Sequence, residues 1–513
     1  MKPSTELFDL IRSLTKSEKR FFKLHSSLQS GEKNYLQIFD AIDRQKEYDE
    51  AAIKKQFAKA TFIRHFPSEK NHLYKLILKA LRAYHADASV SGLLKQHINN
   101  IEILLGKALY DEAAKMLERA KRIAAEHEQF YLWSELLSWE KMLIEEAFQS
   151  GNFTSDLTAL AQEEELVLAK LRNLATYNVL YAQINYVFRS GGYVRTEEEE
   201  ALVGQISEHP LIKGKNTALS HRASTICHYT QGFCNWAKRD WATSYAKFNR
   251  AKEILDAHPQ LRKDLPKRYV RTLYYLVQCE IELGDHAHVK EDIGKLRALP
   301  KMAGFGEIEI RLLVFCNSFL SELRYYDRIG EYQRAVDLEP EVVSGMEQWG
   351  GQLPKEYVLE FYFLLSTVHF GAGSMNRSLY WLNKVLNDPE PALRQDIFTY
   401  ARLFNLVIHY ELGNFDLLEY IVRSTQRYLS KRRRAIGMEL AMLDHIKKLA
   451  RSTSPSARDD TFRSLKARLG ELMKDPYEGT VLKYFNVRAW VDSKVDGTSF
   501  AQVVKERARV RVK

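Results

Sequence analysis

Apolar residues recur along most of this chain at intervals of three and four, the spacing that gathers them on one side of a helix. The run FYFLLSTVHF (361–370) is one example, and polar residues fill the opposite phase on either side of it. Alternation of period two, the mark of a half-buried strand, is hard to find anywhere. The helical pattern breaks and resumes at once in IELGDHAHVKEDIGKL (281–296), YDRIGEYQRAVDL (326–338) and ELGNFDLLEYIVRSTQRYL (411–429). Glycine ends each run, because it enters the left-handed conformation without a Cβ penalty. A residue of N-cap type follows and opens the next helix. Each break therefore predicts a helical hairpin.

Gly284, Gly330, Gly373 and Gly413 are separated by 46, 43 and 40 residues. Weaker breaks fall at Ala108-Leu109-Tyr110, Gly151-Asn152-Phe153, Gly191-Gly192-Tyr193 and Arg239-Asp240-Trp241. An aromatic residue commonly follows the break, as Tyr110, Phe153, Trp241, Tyr332 or Phe415, placed to wedge between the helices. A small residue comes next, as Ala113, Ser244, Ala335 or Ser378, where the helices must approach closely. A repeat of 40 to 48 residues signals a solenoid, since one hairpin cannot bury its apolar face alone and its neighbour can.

Three stretches carry a resemblance to a known family: ALYDEAAKMLERA (108–120), DWATSYAKFNRA (240–251) and GSMNRSLYWLNKVLNDP (373–389). They resemble the second half of a tetratricopeptide (TPR) repeat, over roughly residues 90–430 of the chain. The period is longer than the 34 residues of that family, and the entry motif degrades at Gly284, Gly330 and Gly413. The expected fold is all-α: a TPR-like α-solenoid of helical hairpins with helical caps at both ends. Expected boundaries are a basic N-terminal helical domain (1–90), the repeat array (91–450) and a basic C-terminal cap or tail (451–513).

Composition agrees. Twelve Pro and 24 Gly in 513 residues leave few helix breakers. Four cysteines, with no CxxC pair, point to a reducing compartment and buried thiols. Glu6 and Asp9 stand where a signal peptide needs an apolar core, and the most apolar stretch is too short to span a bilayer. A cytoplasmic protein with no membrane partner is expected. The net charge of +10 is uneven: residues 1–85 carry +7 and residues 421–513 carry +12, which leaves −9 for the middle. The acidic middle favours basic or neutral ligands.

At the N-terminus, Thr15 and Glu18 form a capping-box signature. Lys16, Lys19, Arg20 and Lys23 then recur on one helical face. Near the other end lie Lys431, Arg432, Arg433 and Arg434. Both groups are candidate phosphate contacts, with a solvated cap face and helix-dipole stabilisation as the structural alternatives. In the tail, Phe485, Val487, Trp490 and Val491 are placed to bury on the array.

No Walker loop, HExxH, GxSxG or dinucleotide fingerprint occurs. Cys227 and Cys234 in HRASTICHYTQGFCNW (221–236) share a helix face and read as packed thiols rather than a zinc site. TEEEE (196–200) reads as an N-cap with acids in the first turn. No enzyme activity, cofactor or metal is expected. The resemblance implies that the first helix of each hairpin lines a concave groove. The positions one to three turns before each break are Thr225, Tyr229 and Phe233; Arg271, Tyr274 and Gln278; Glu360, Phe363 and Thr367; and Tyr400, Leu403 and Val407. This mixture suits an extended protein or peptide segment. A scaffold that binds protein segments is the leading expectation, and a nucleic-acid-associated regulator with basic ends is the alternative.

Overall fold

The computed structural model describes residues 4–27, 34–86, 89–148, 157–189, 194, 196–430, 437–452, 454–475, 478 and 484–511. Among these the chain is all-α and contains no strand. Packing divides it into two compact units, residues 1–168 and 169–513.

The first unit holds α1 (Glu6–Ser13), α2 (Lys16–Ser27), α3 (Asn34–Asp43), α4 (Glu50–Gln56), α5 (Phe66–Tyr84), α6 (Val90–Gly106), α7 (Tyr110–Glu126) and α8 (Phe130–Phe148). The long helix α9 (Leu157–Arg189) carries the boundary. Helices α1–α5 enclose one core around Ile11, Phe22, Phe39, Phe66 and Ile77. The hairpin α6–α7 and α8 enclose another around Ile101, Leu117 and Leu136. The Thr15–Glu18 capping box forms as expected. Thr15 N donates to Glu18 Oε2 at 2.7 Å, and Glu18 N donates to Thr15 Oγ1 at 3.2 Å.

The second unit continues with α10 (Glu197–Glu208), α11 (Pro210–Lys213), α12 (His221–Ala237), α13 (Trp241–Ala257), α14 (Pro259–Asp264), α15 (Pro266–Leu283) and α16 (His286–Ala298). Then come α17 (Ile308–Ile329), α18 (Tyr332–Asp337), α19 (Glu339–Trp349), α20 (Lys355–Gly371), α21 (Met375–Leu386), α22 (Gln395–Glu411) and α23 (Phe415–Ser430). The chain closes with α24 (Gly437–Arg451), α25 (Pro455–Leu472), α26 (Val487–Asp496) and α27 (Phe500–Arg511).

The breaks are hairpin turns of one recurrent design. Gly284, Gly330, Gly373 and Gly413 have φ of 78°, 73°, 78° and 71°, the left-handed region that favours glycine. At each turn the amide after the glycine reaches back to a carbonyl of the preceding helix. Asp285 N donates to Glu280 O at 3.0 Å, Glu331 N to Tyr326 O at 3.0 Å, Ser374 N to His369 O at 2.9 Å and Asn414 N to His409 O at 3.1 Å. This Schellman bond satisfies a carbonyl that the helix end leaves orphaned. The glycine-free breaks use the same bond: Leu109 N to Leu104 O at 3.0 Å and Asp240 N to Asn235 O at 2.9 Å. Ala108 and Arg239 accordingly hold φ of 59° and 62°, at a cost of roughly 1 kcal/mol each relative to glycine. The breaks at Gly151 and Gly191 lie outside the described residues.

Small residues sit where the paired helices touch. Ala113, Ser244, Ala335 and Ser378 are fully buried. Ser366 and Ser378 each donate a hydroxyl hydrogen to the other's carbonyl at 2.8 Å, which locks α20 to α21. Ser244 donates to Gly232 O at 2.9 Å and ties α13 to α12 in the same way. A Cβ on Gly232 would stand 2.7 Å from the Phe248 ring.

The C-terminal segment completes the core of the last hairpins. Phe485, Val487, Trp490 and Val491 are buried, as their apolar pattern predicts, in one cluster with Phe370, Phe404, Val407 and Phe462. Helix α27 then lies against α17: a Cβ on Gly330 would approach Ala501 O to 3.0 Å.

Candidate functional site

The first helices of successive hairpins in the second unit are α12, α15, α17, α20 and α22. On the face expected from sequence to line a groove they carry a series of arginines and aromatic residues, and it has two distinct parts.

On α12 and α15 the series is cationic and rich in tyrosine. Arg268 Nη1 donates to Thr225 Oγ1 at 3.1 Å. Arg271 lies one turn later on α15 and is exposed. Neither guanidinium has a carboxylate within ion-pair distance among the described residues. Burial pushes the Arg268 guanidinium below its ordinary range; nearby Tyr229 and Tyr181 oppose this, and the like charges of Arg222 and Arg271 add to it. Arginine nevertheless stays charged at any physiological pH. Tyr229 packs against Tyr181, Tyr275 and Phe233 at centroid distances of 5.8, 6.0 and 5.0 Å. Its side chain is buried, and its hydroxyl has no hydrogen-bond partner in the protein.

From α17 onward Arg324 and Arg394 on this face are matched. Arg324 donates to Tyr274 Oη at 2.6 Å and to Gln278 Oε1 at 3.2 Å, and pairs with Glu360. Gln278 Nε2 in turn donates to Ser321 Oγ at 2.9 Å. Arg394 reaches Glu360 at 3.2 Å and Asp396 at 2.9 Å. Tyr484, from the C-terminal segment, donates its hydroxyl to Asp396 Oδ2 at 2.6 Å and stacks on Tyr400 at 4.1 Å. Trp490 Nε1 donates to Glu411 Oε1 at 2.6 Å, and Lys494 pairs with the same carboxylate at 2.7 Å. Phe500 stacks on Tyr332 at 5.7 Å. The groove side of α20 and α22 is thus occupied by the chain's own tail.

This arrangement sorts the residues expected from sequence. Arg271, Tyr274 and Glu360 keep partial or full exposure, and Thr225, Tyr229 and Gln278 lie directly behind them. Phe233, Leu403 and Val407 are at most 2% exposed, so packing occupies them. Thr367 is buried and donates to Leu364 O at 2.9 Å in its own helix. Phe363 and Tyr400 are covered by Tyr484. Helix α17 supplies two groove-side residues that the sequence pattern did not single out, Asn317 and Arg324. The signal was present: Gln278, Thr367 and Val407 each stand six residues before their glycine, and the same offset from Gly330 gives Arg324.

The N-terminal stripe is half neutralised. Lys19 pairs with Asp43 at 2.5 Å and Lys23 with Asp40 at 2.6 Å, while Lys16 and Arg20 are exposed. Residues Lys431, Arg432, Arg433 and Arg434 lie outside the described residues. Thr196 caps α10 by accepting from Glu199 N at 3.1 Å. All four cysteines are buried, and burial pushes their thiols up, Cys279 and Cys316 to about 12. Such thiols are inert at neutral pH. Among the described residues no three metal-ligating side chains cluster, and no helix is long and apolar enough to cross a membrane.

Fold and face together define an all-α protein of serial helical hairpins. The chain matches no protein-family model, and no curated protein is significantly similar to it.

Proposed function

We propose that this protein is a non-enzymatic scaffold of TPR-like architecture that binds a segment of a partner protein along the groove side of α12, α15 and α17. The supporting observation is the occupant of the adjoining hairpins. On α20 and α22 the same face holds an irregular aromatic stretch through Tyr484, through ring stacking and a hydroxyl-to-carboxylate hydrogen bond. A face built to hold one such segment suits a second on its uncovered part, where Arg271 and Tyr274 stand at the offsets that Tyr400 and Leu403 hold on α22. Aromatic and arginine anchors are the residue types that dominate binding energy at protein interfaces.

Crosslinking and pull-down with the full chain tests this, comparing the wild type with Arg271→Glu. Protein captured by the wild type and lost from the variant is the expected result. Capture of nucleic acid alone, removed by raising salt, would replace this reading with the phosphate-backbone one. The pairing of Lys19 and Lys23 with aspartates already weakens that alternative.

A further inference from the structure

The geometry points to a phosphate-monoester site at Arg268 and Arg271, where the partner segment is held by a phosphorylated side chain. This inference rests on the scaffold reading and names the chemistry of its anchor.

Charge decides the ligand class. Arg268 and Arg271 stand one turn apart on α15, which places their side chains next to each other on one face. No carboxylate among the described residues pairs with either. A carboxylate ligand carries one negative charge and would leave one of the two cations uncompensated. A phosphate monoester carries about −1.5 to −2 near pH 7 and offers three acceptor oxygens. Two guanidinium groups are matching donors, since Arg presents forked N–H groups to phosphate oxygens. Thr225 holds Arg268 from behind by accepting its Nη1 hydrogen at 3.1 Å, while donating its own hydrogen to Arg222 O at 2.8 Å. Arg268 is therefore held in place rather than being a loose surface cation.

The surroundings favour a peptide over a nucleic acid. Past Tyr274 the groove-side arginines already have carboxylate partners, Glu360 and Asp396. A polynucleotide would meet cations at one end and those carboxylates along the rest. A segment with its charge at one point and apolar or aromatic residues beyond meets complementary chemistry throughout. The −9 net charge of residues 86–420 conceals this local reversal of sign.

The test is calorimetric titration of the full chain with acetyl-Ala-phosphoSer-Ala-amide, its Ser and Glu counterparts, and inorganic phosphate. The phosphopeptide is expected to bind at least tenfold tighter than the Glu peptide. Its binding should weaken as pH falls from 7 to 5, because the monoester takes up its second proton near pH 6. Arg271→Ala should lower affinity at least tenfold and Arg271→Lys by less. Because Arg271 is exposed, both variants are expected to keep the wild-type helical spectrum. Inorganic phosphate binding as tightly as the phosphopeptide, with the same dependence on Arg271, assigns the phosphate chemistry to a free small-molecule ester and overturns the peptide assignment. Equal affinity for the Glu and phosphoserine peptides, or no loss in Arg271→Ala, overturns the site. Tighter, Arg271-dependent binding of a single-stranded oligonucleotide also overturns the peptide assignment. If phosphopeptide binds but the pull-down captures no partner protein, the site stands and the scaffold reading falls.

Discussion

Two stretches of one face, built from equivalent helices, have opposite chemistry. On α20 and α22 the tail residues Tyr484, Phe485 and Trp490 cover the aromatic side chains, and Arg394 and Glu411 have their counter-charges. On α12 and α15 two arginines lack carboxylate partners, and a buried tyrosine hydroxyl lacks an acceptor or donor. Packing and pairing account for the contacts of the tail in the first stretch. The Tyr229 hydroxyl in the second is different, since an unsatisfied buried polar group costs about 1–3 kcal/mol. Departures of this kind are expected where function competes with folding.

The largest effect should come from removing the tail's anchor. Trp490 is about 1% exposed, stacks edge-on against Phe462 at 5.4 Å and donates to Glu411. Trp490→Ala should cost about 4 kcal/mol in urea unfolding, the loss typical of a buried tryptophan. A cost under about 1 kcal/mol would mean that the tail only rests on α22, and the contrast between a filled and an uncovered stretch would collapse.

Next is a pair of identical truncations. Arg324→Ala strips Tyr274, Gln278 and Glu360 of a shared donor and leaves the Glu360 carboxylate partly buried, so a loss of roughly 2–3 kcal/mol is expected. Arg271→Ala removes an exposed cation with no partner and should stay within about 0.5 kcal/mol of wild type. Equal destabilisation of the two, read from thermal melts, would erase the distinction between matched and unmatched cations.

The helix that carries Arg268 and Arg271 also supplies a pH test. Glu280, about 1% exposed on α15, is pushed up to about 8 by burial and by the neighbouring carboxylates of Asp292 and Asp285. The folded chain thus keeps a proton that the unfolded chain releases near 4.5. Below that value the folded state suffers no penalty. As pH rises towards 8 the unfolded state sheds the proton first, and stability falls. Asp327, raised to about 7 by burial, acts in the same direction. Glu280→Gln should flatten the decline in Tm between pH 5 and 8 and be worth roughly 1–2 kcal/mol at the upper end. An unchanged slope would show that Glu280 is ionised in the fold, and would make α15 a strained helix on both sides.

The hairpins were legible because their cause is local. A glycine and a small residue within a few positions specify the turn, and Gly284, Gly330, Gly373 and Gly413 adopt the backbone conformation their context requires, whereas Asp285, Glu331 and Ser374, expected as N-caps, make no side-chain cap bond. Even the turns at Ala108 and Arg239 could be read, from the aromatic and small residues just downstream rather than from their own propensity. The groove positions were legible only as a helix face. Whether such a face meets solvent, a neighbour or the tail depends on pairings as distant as Asp396 with Tyr484, and no local pattern records those. The charge of the middle segment is a sum over hundreds of residues and does not register that Arg268 and Arg271 adjoin on α15.

The smallest effect is the sharpest comparison, because one substitution should have opposite signs in the two stretches. Tyr484→Phe deletes a hydroxyl that donates to Asp396 at 2.6 Å, a charge-assisted bond, and should destabilise by about 1–2 kcal/mol. Tyr229→Phe deletes a hydroxyl that is buried without a partner, keeps the ring contacts with Tyr181, Phe233 and Tyr275, and removes only a desolvation penalty. A gain of about 0.5–1 kcal/mol is expected. If Tyr229→Phe is instead destabilising by as much as Tyr484→Phe, the Tyr229 hydroxyl has a partner in solution, and the two stretches are satisfied alike.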